Sequence, residues 1–503
     1  MVIFSFLLAN AQQEGLDKID TFDLKEHLTF IASDELQGRR FGTEVDGLNM
    51  TAKYIADNAK RIGLKPGAPG YFQKVDLVLA KPDESNFIEI ADDSGNSVYK
   101  TNSFVEMNHP DQPQLLSGIP VVLAGFGDSI SAIDVKGKAV LVSVGSREDF
   151  GKDNFRWNNR VERAKLNALT AMEPKLILLV ANVEDNQNKM FNQINSWYGR
   201  ERYNLATSGS NESVVTALVL PEFADTLLGG QGKFEEYLSE VTESEAALPF
   251  KLEGKSINIK EGRLTVPVDA KNVVAVLEGS DPELKDEYVV FMAHYDHLGM
   301  DENGEVFNGA DDNGSGTVTI MEVADAFSAL QKKPKRSIVF LWVTGEEIGL
   351  FGSEFYTSNP VFPLEKTVAC FNLDMVGRVF EPRDTVWNKS PKRVKDFDGI
   401  FTLSNDVWPG LSEINQKACK QLGLVPDTTL PPQFLRSSDH YHFHKNNIPV
   451  LNYATGYHAD YHKVSDEVDK INFAKMKRVA ELCFLVGFEV ANRTDIEKKA
   501  ADQ

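Results

Sequence analysis

Cysteine is almost missing from this chain, with 3 thiols in 503 residues. Three cysteines cannot make a disulfide framework, and no cluster of them marks a thiolate metal site. Cys370 lies in an apolar run and is expected to pack as a small hydrophobe. Cys419 and Cys483 fall in helical patterns and could bridge. Basic charge is also short: 53 Lys and Arg stand against 74 Asp and Glu, a net charge of −21. That balance excludes nucleic acid and anionic membrane as partners, since both need a cationic surface. No basic stripe interleaved with aromatics occurs, and no internal repeat. Long hydrophobic runs are lacking as well. The longest at the N-terminus, Val2 to Ala9, is too short to span a bilayer. It precedes Ala9-Asn10-Ala11, which fits an A-x-A cleavage site without a basic leader, so residues 1–11 are expected to be a truncated signal peptide and the protein periplasmic or secreted.

What is present is an ordinary globular composition, 42% hydrophobic and 10% aromatic, in a chain long enough for two or more domains. The 9 histidines are unevenly spread: only His27 and His109 precede His294, so the site chemistry belongs to the second half. There, Tyr288-Val-Val-Phe-Met-Ala is apolar almost throughout, as in a parallel strand covered on both faces. It ends in His294-Tyr-Asp296-His297. Side chains two apart in extended chain point the same way, so the Asp296 carboxylate is expected to hold the second nitrogen of His294 and fix its tautomer.

Three more clusters follow at the ends of apolar segments, where open α/β sheets carry their chemistry. Asn308-Gly-Ala-Asp311-Asp312-Asn-Gly-Ser-Gly316 is an acidic, glycine-rich loop before an amphipathic helix expected over 317–330. Arg336 to Thr344 is a buried strand delivering Glu346-Glu347, and Thr367 to Leu373 another delivering Asp374. Tyr461-His462 comes much later. Each has a bland reading as a cap, a solvated loop or a surface histidine. Jointly those readings fail, because unneutralised carboxylates a few ångströms apart repel by roughly 4 kcal/mol per pair at an intermediate dielectric. Within the motifs the only Lys and Arg are Lys463 and Arg378, so divalent metal is the expected counter-charge. Asp312, Glu347 and Asp374 carry three negative charges; two dications and one bridging hydroxide balance them. Imidazole among the ligands favours zinc over magnesium or calcium.

The ordered set H-Y-D-H, G-A-D-D-N-G-S-G, T-G-E-E-x-G-L-x-G-S, N-L-D-M-V-G and Y-H-x-x-S-D resembles the co-catalytic zinc aminopeptidase family of aminopeptidase Y and the secreted bacterial leucyl aminopeptidases. The resemblance covers about Asn272 to Val490. It implies two Zn2+, one on His294 and Asp374, the other on Glu347 and His462, with Asp312 bridging. It further implies Asp296 as the partner of His294 and Glu346 as general base for a hydroxide held between the metals. Asp311 is the neighbour that could exchange roles with Asp312. Tyr461 is a candidate oxyanion donor. The family's S-D-H-x-x-F element matches Ser438-Asp439-His440, so Asp439 and His440, with Arg436 nearby, are expected beside a peptide substrate. Packing is the reading for His442 and His444. Glutaminyl cyclases and carboxypeptidases share the scaffold. The former characteristically use one zinc, and the latter need an arginine cluster that Arg378 and Arg436 do not obviously form. A non-catalytic binding protein is the remaining alternative, opposed by the complete set of ligand types.

The expected architecture is α/β: a mixed, mostly parallel sheet flanked by helices, of the zinc exopeptidase (phosphorylase/hydrolase-like) kind, with an inserted β-rich module. Residues 12–112 would start the peptidase domain, 113–255 form the insert and 256–503 complete the catalytic domain. Asp23 to Asp34 and Thr43 to Ile62 read as helices joined by the Gly38-Arg-Arg-Phe-Gly42 loop. Within the insert, strands are expected over 118–127, 135–144 and 175–181, and helices over 155–172 and 234–245; this resembles a protease-associated (PA) domain. The segment 378–432 is expected to shape a specificity pocket, and a final helix to pack on the sheet up to Val490.

Overall fold

The computed structural model describes residues 10–107, 113–128, 134–151, 157, 159–181, 188–206, 214–244, 250–379, 397–497 and 499. The apolar run Val2 to Ala9 lies outside them. Among the described residues no helix is long and apolar enough to cross a membrane. The chain divides into two compact units, residues 1–77 with 268–503 and residues 78–267.

The first unit is built on a mixed sheet. Its central strand, Tyr288–His294, is buried at every position but the first. It lies parallel to Ser337–Val343 on one side and Thr367–Leu373 on the other. Val450–Ala454 continues the parallel set. Antiparallel neighbours flank it: Arg263–Leu277 beyond Ser337–Val343, and Gly399–Ser404 beyond Val450–Ala454. These runs are strands because they combine β-branched and aromatic residues with burial on both faces. Phe291, from the central strand, stacks between Phe340 and Phe371 of its neighbours at centroid distances of 5.8 and 4.9 Å.

Helices Gly316–Ala329, Phe473–Asn492 and Thr21–Ile31 pack together on one side of the sheet. Gly487 allows a close approach, since a Cβ there would fall 2.4 Å from the Phe291 ring. Helix Gly316–Ala329 is not amphipathic as its sequence suggested. Nearly every residue is buried, because it is enclosed by the strands and two helices at once. Tyr356 and Phe443, on helices Phe351–Ser358 and His440–Lys445, pack on the other face against Val290, Met292 and Leu341. Cys370, Cys419 and Cys483 are free and buried, so Cys419 and Cys483 do not pair.

The second unit is wider than the insert expected over 113–255. Strand Phe250–Glu261 pairs on one edge with Phe87–Asp92 and on the other with Gln114–Leu123, so the hydrogen-bond ladder draws residues before 113 and after 255 into the same sheet. Gln114–Leu123, Ala139–Ser143, Leu176–Val180 and Val215–Val219 are successively parallel. Helices Asn159–Thr170, Lys189–Tyr198, Pro221–Leu228 and Lys233–Ser244 accompany them.

Candidate metal centre

All of the expected ligand residues meet at the carboxyl ends of the parallel strands. His294 is the last residue of its strand, and its Nε2 lies 3.5 Å from Asp374 Oδ1 and 3.6 Å from Asp312 Oδ1. His462 Nε2 lies 3.1 Å from Asp312 Oδ2 and 3.2 Å from Glu347 Oε2. Asp312 therefore offers one oxygen to each side. Two groups able to hold a metal stand out among the described residues, His294–Asp312–Asp374 and His297–Asp312–Glu347, each with its ligand atoms within 4.8 Å of one another. Among the described residues, His294 Nε2 and Asp374 Oδ1 are buried without a hydrogen-bond partner. Two orphaned lone-pair atoms facing each other in a dry site are what a divalent ion would satisfy.

Asp311, the alternative to Asp312, points elsewhere. Its Oδ1 accepts the Gly377 N–H at 2.7 Å and its Oδ2 lies 3.2 Å from His458 Nε2. His458 in turn touches Arg378, which pairs with Asp460 at 3.1 Å. Asp466 clamps the acidic loop, accepting the N–H groups of Asp311 and Asp312 at 3.0 and 3.1 Å. Arg378 is thus engaged in a buried network.

Asp296 differs in detail from its expected role. His294 Nδ1 is nearer the Asp296 main-chain carbonyl, at 3.2 Å, than its carboxylate, at 3.7 Å. The strand ends at His294, so the two-residue alternation no longer governs Asp296. Its carboxylate accepts the N–H groups of Glu346 and Glu347 at 3.2 and 3.3 Å, which holds the loop after Ser337–Val343 in place. Glu346 Oε2 stands 4.0 Å from His294 Nε2.

The electrostatics follow from crowding acids in a dry site. Burial pushes the Glu346 carboxyl well up, and Asp374, Asp439 and Glu347 reinforce the shift against His294. Burial also raises Glu347, but hydrogen bonds from His297 and His462 outweigh it and hold that carboxyl well below the usual range. Two adjacent glutamates are driven in opposite directions, the pattern by which acid–base and ligand roles separate. His462 is lowered by burial yet raised to about 10 overall by Asp312 and Glu347. It would have to release its proton to bind a metal.

His297 belongs to the cluster although the motif reading gave it no role. Its Nδ1 lies 2.7 Å from Glu347 Oε1, while its Nε2 is buried and has no partner among the described residues. Its presence in H-Y-D-H was the only signal. Tyr461 stacks on the His462 ring with centroids 3.8 Å apart. Asp439 and His440 do not line a cleft as expected, since neither exposes any surface. Asp439 accepts the Ser353 hydroxyl at 2.6 Å, and His440 Nε2 meets the Phe434 carbonyl at 2.9 Å. Helix His440–Lys445 packs inward and carries them under the sheet. Burial lowers His440 to about 4, so its imidazole is neutral. Arg436 is exposed, its guanidinium 5.8 Å from the Tyr441 ring. His442 is buried and His444 half-buried, apart from both metal-capable groups.

Beside Asp374 opens a small, largely apolar cavity walled by Met375, Phe401, Leu430, Phe434 and Tyr457. Phe401 and Leu430 come from the segment expected to shape specificity; residues 380–396 of that segment lie outside the described ones.

The first unit is a mixed α/β sheet flanked by helices, with an acid–imidazole cluster at the carboxyl ends of its parallel strands. Residues 272–486 match the model of peptidase family M28. Among curated relatives, aminopeptidase YwaD of Bacillus subtilis (strain 168) is 28% identical over 46% of this chain and 46% of its own length. A probable leucine aminopeptidase 1 of Trichophyton verrucosum is 30% identical over 43% of this chain and 56% of its own. Leupeptin-inactivating enzyme 1 of Streptomyces exfoliatus is 31% identical over 40% and 38%. The chain thus spans about half the length of the curated relatives it matches. Among solved structures, an aminopeptidase from Aneurinibacillus sp. strain AM-1 shares the fold, with a TM-score of 0.52, 16% identity and 98% of each chain covered.

Proposed function

We propose that this chain is a zinc-dependent aminopeptidase that removes N-terminal residues from peptides, with two zinc ions sharing Asp312. The carrying observation is that Asp312 offers its two oxygens to opposite sides, one toward His294 and the other toward His462. In this reading His294 and Asp374 would hold one zinc, Glu347 and His462 the other. His297 orients Glu347 through its second oxygen. Zinc in such a site polarises the scissile carbonyl and makes water reactive near neutral pH.

The remaining chemistry falls to the chain's own side chains. Glu346, with its raised proton affinity, accepts the proton of the attacking water and hands it to the leaving amine. Asp296 fixes where Glu346 and Glu347 stand through their N–H groups. Tyr461, held against His462, donates to the oxygen that gains charge at the scissile carbon. The largely apolar cavity beside Asp374 accepts the N-terminal side chain. Arg436, at the exposed edge, is available to the rest of the peptide, whereas the burial of Asp439 and His440 favours a supporting role for both. Export, read from the Val2–Ala9 run, and a PA-type identity for residues 113–255 belong to the same proposal.

A panel of aminoacyl anilides and N-blocked peptides, with and without chelator, tests the reaction class. Free substrates should be cleaved and blocked ones spared, with activity lost on chelation and restored by zinc. Equal cleavage of blocked peptides would rule out an aminopeptidase.

A further inference from the structure

Beneath the acid–imidazole cluster lies a cation that none of the site motifs contains. Arg39 is completely buried, and its guanidinium donates four hydrogen bonds, all to main-chain carbonyls. Nε reaches Tyr295 at 2.9 Å, Nη1 reaches Ile31 at 2.7 Å and Asn308 at 2.6 Å, and Nη2 reaches Gly309 at 3.0 Å. Tyr295 sits between His294 and Asp296, while Asn308 and Gly309 open the loop that carries Asp312. In return, the Arg39 carbonyl accepts the His297 N–H at 3.1 Å. One residue therefore ties together the two segments that supply His294, His297 and Asp312.

The local backbone is committed to this arrangement. Gln37, Gly38 and Arg39 all take left-handed φ values of 45, 66 and 49°. A Cβ on Gly38 would lie 2.3 Å from the Gly299 carbonyl oxygen, so only glycine lets the turn seat here. Among the described residues no carboxylate lies at ion-pair distance from Arg39. Burial lowers its proton affinity, to about 10, against the raising effect of Asp296, Asp312, Asp466 and Glu347. A buried guanidinium without a touching counter-ion is unfavourable. Four carbonyl dipoles and the more distant carboxylates offset that here. A lysine would retain the charge but not the rigid planar fork that spans four acceptors.

We propose that Arg39 is a positioning residue for the metal centre, holding segments 294–297 and 308–312 in their metal-accepting arrangement before any ion arrives. This rests on reading the cluster as a zinc site. Charge and positioning make opposite demands. As a mere cation Arg39 repels incoming dications, so removing it would tighten zinc binding. As an organiser it spares the metal the work of ordering two loops, so removing it would weaken zinc binding.

The test compares full-length parent, Arg39→Lys and Arg39→Met. Zinc affinity is read by chelator competition, coordination by the visible spectrum of the cobalt(II)-loaded protein, and loop order by hydrogen exchange of the metal-free protein. Both variants should bind zinc about tenfold or more weakly. Both should exchange faster over 294–312 without metal, and the cobalt spectrum of Arg39→Lys should differ from the parent's. Failure of lysine to rescue assigns the role to the fork rather than the charge. A variant that folds only when zinc is present also supports positioning. Zinc binding unchanged or tighter, with parent-like exchange, overturns the proposal, as do two variants that fail to fold even with zinc. A parent that takes up no zinc would sink the metal reading instead, and the exchange comparison would still decide the role of Arg39.

Discussion

Replacing Asp466 by alanine probes how much the acidic loop depends on a single buried clamp. Asp466 has no exposed surface. Its Oδ2 accepts two N–H groups, from Asp311 at 3.0 Å and Asp312 at 3.1 Å, and its Oδ1 faces Arg378 at 3.9 Å. Hydrogen bonds to a charged acceptor contribute about 1.5–3 kcal/mol each, so the gross loss is about 3–6 kcal/mol, with two buried donors left unsatisfied. Relaxation of the loop recovers part of this. If about 2.7 kcal/mol falls on the metal-accepting arrangement of Asp312, zinc affinity drops about a hundredfold. Asp466→Asn keeps the shape and one acceptor oxygen but loses the charge, so an intermediate effect is expected. Chelator competition measures the affinity, and thermal unfolding of metal-free and zinc-loaded protein separates loop order from global stability. Parent-like zinc affinity in Asp466→Ala would refute the reasoning, because the clamp would then be irrelevant to where Asp312 points.

Two further outcomes follow from the same geometry. Glu346→Gln should lower kcat by about 10²–10⁴ while leaving zinc content unchanged, as measured by steady-state kinetics and elemental analysis; loss of a metal would mean that Glu346 is a ligand and Glu347 the base. Glu261, in the second unit, is buried with neither carboxylate oxygen partnered among the described residues, and burial together with Glu106 raises it to about 8. The folded chain thus keeps a proton that the unfolded chain releases near pH 4.5. The resulting stabilisation is complete below that pH and is lost as pH rises through about 8, on the order of 3–5 kcal/mol in all. Glu261→Gln should flatten that slope in denaturant unfolding at pH 5, 7 and 9, whereas parallel curves for parent and variant would contradict it.

The first unit was readable because its strands are long, apolar and ended by polar groups in order. Tyr288–His294, Ser337–Val343 and Thr367–Leu373 announce themselves by composition, and parallel pairing brings their ends together. Less was legible where sequence distance or local geometry intervened. Arg39 reaches carbonyls 256 to 270 residues away, and no spacing rule encodes such a contact. Asp439 and His440 look like cleft residues by motif, but the packing of a short helix decides that they face inward. His297 and His462 are both imidazoles near one glutamate, and only three-dimensional placement shows that each takes a different oxygen of Glu347. The limits of the second unit are less legible because Phe87–Asp92 joins its sheet across more than 150 residues of sequence through Phe250–Glu261.

The most direct test is zinc titration of the metal-free protein, followed by calorimetry or a chromophoric chelator, in parent, Asp374→Ala and Asp312→Ala. Two equivalents should bind to the parent, one tightly to Asp374→Ala, and none tightly to Asp312→Ala because both sites lose their shared oxygen donor. Retention of both equivalents by Asp312→Ala, or no uptake by the folded parent, would contradict a centre organised around that aspartate.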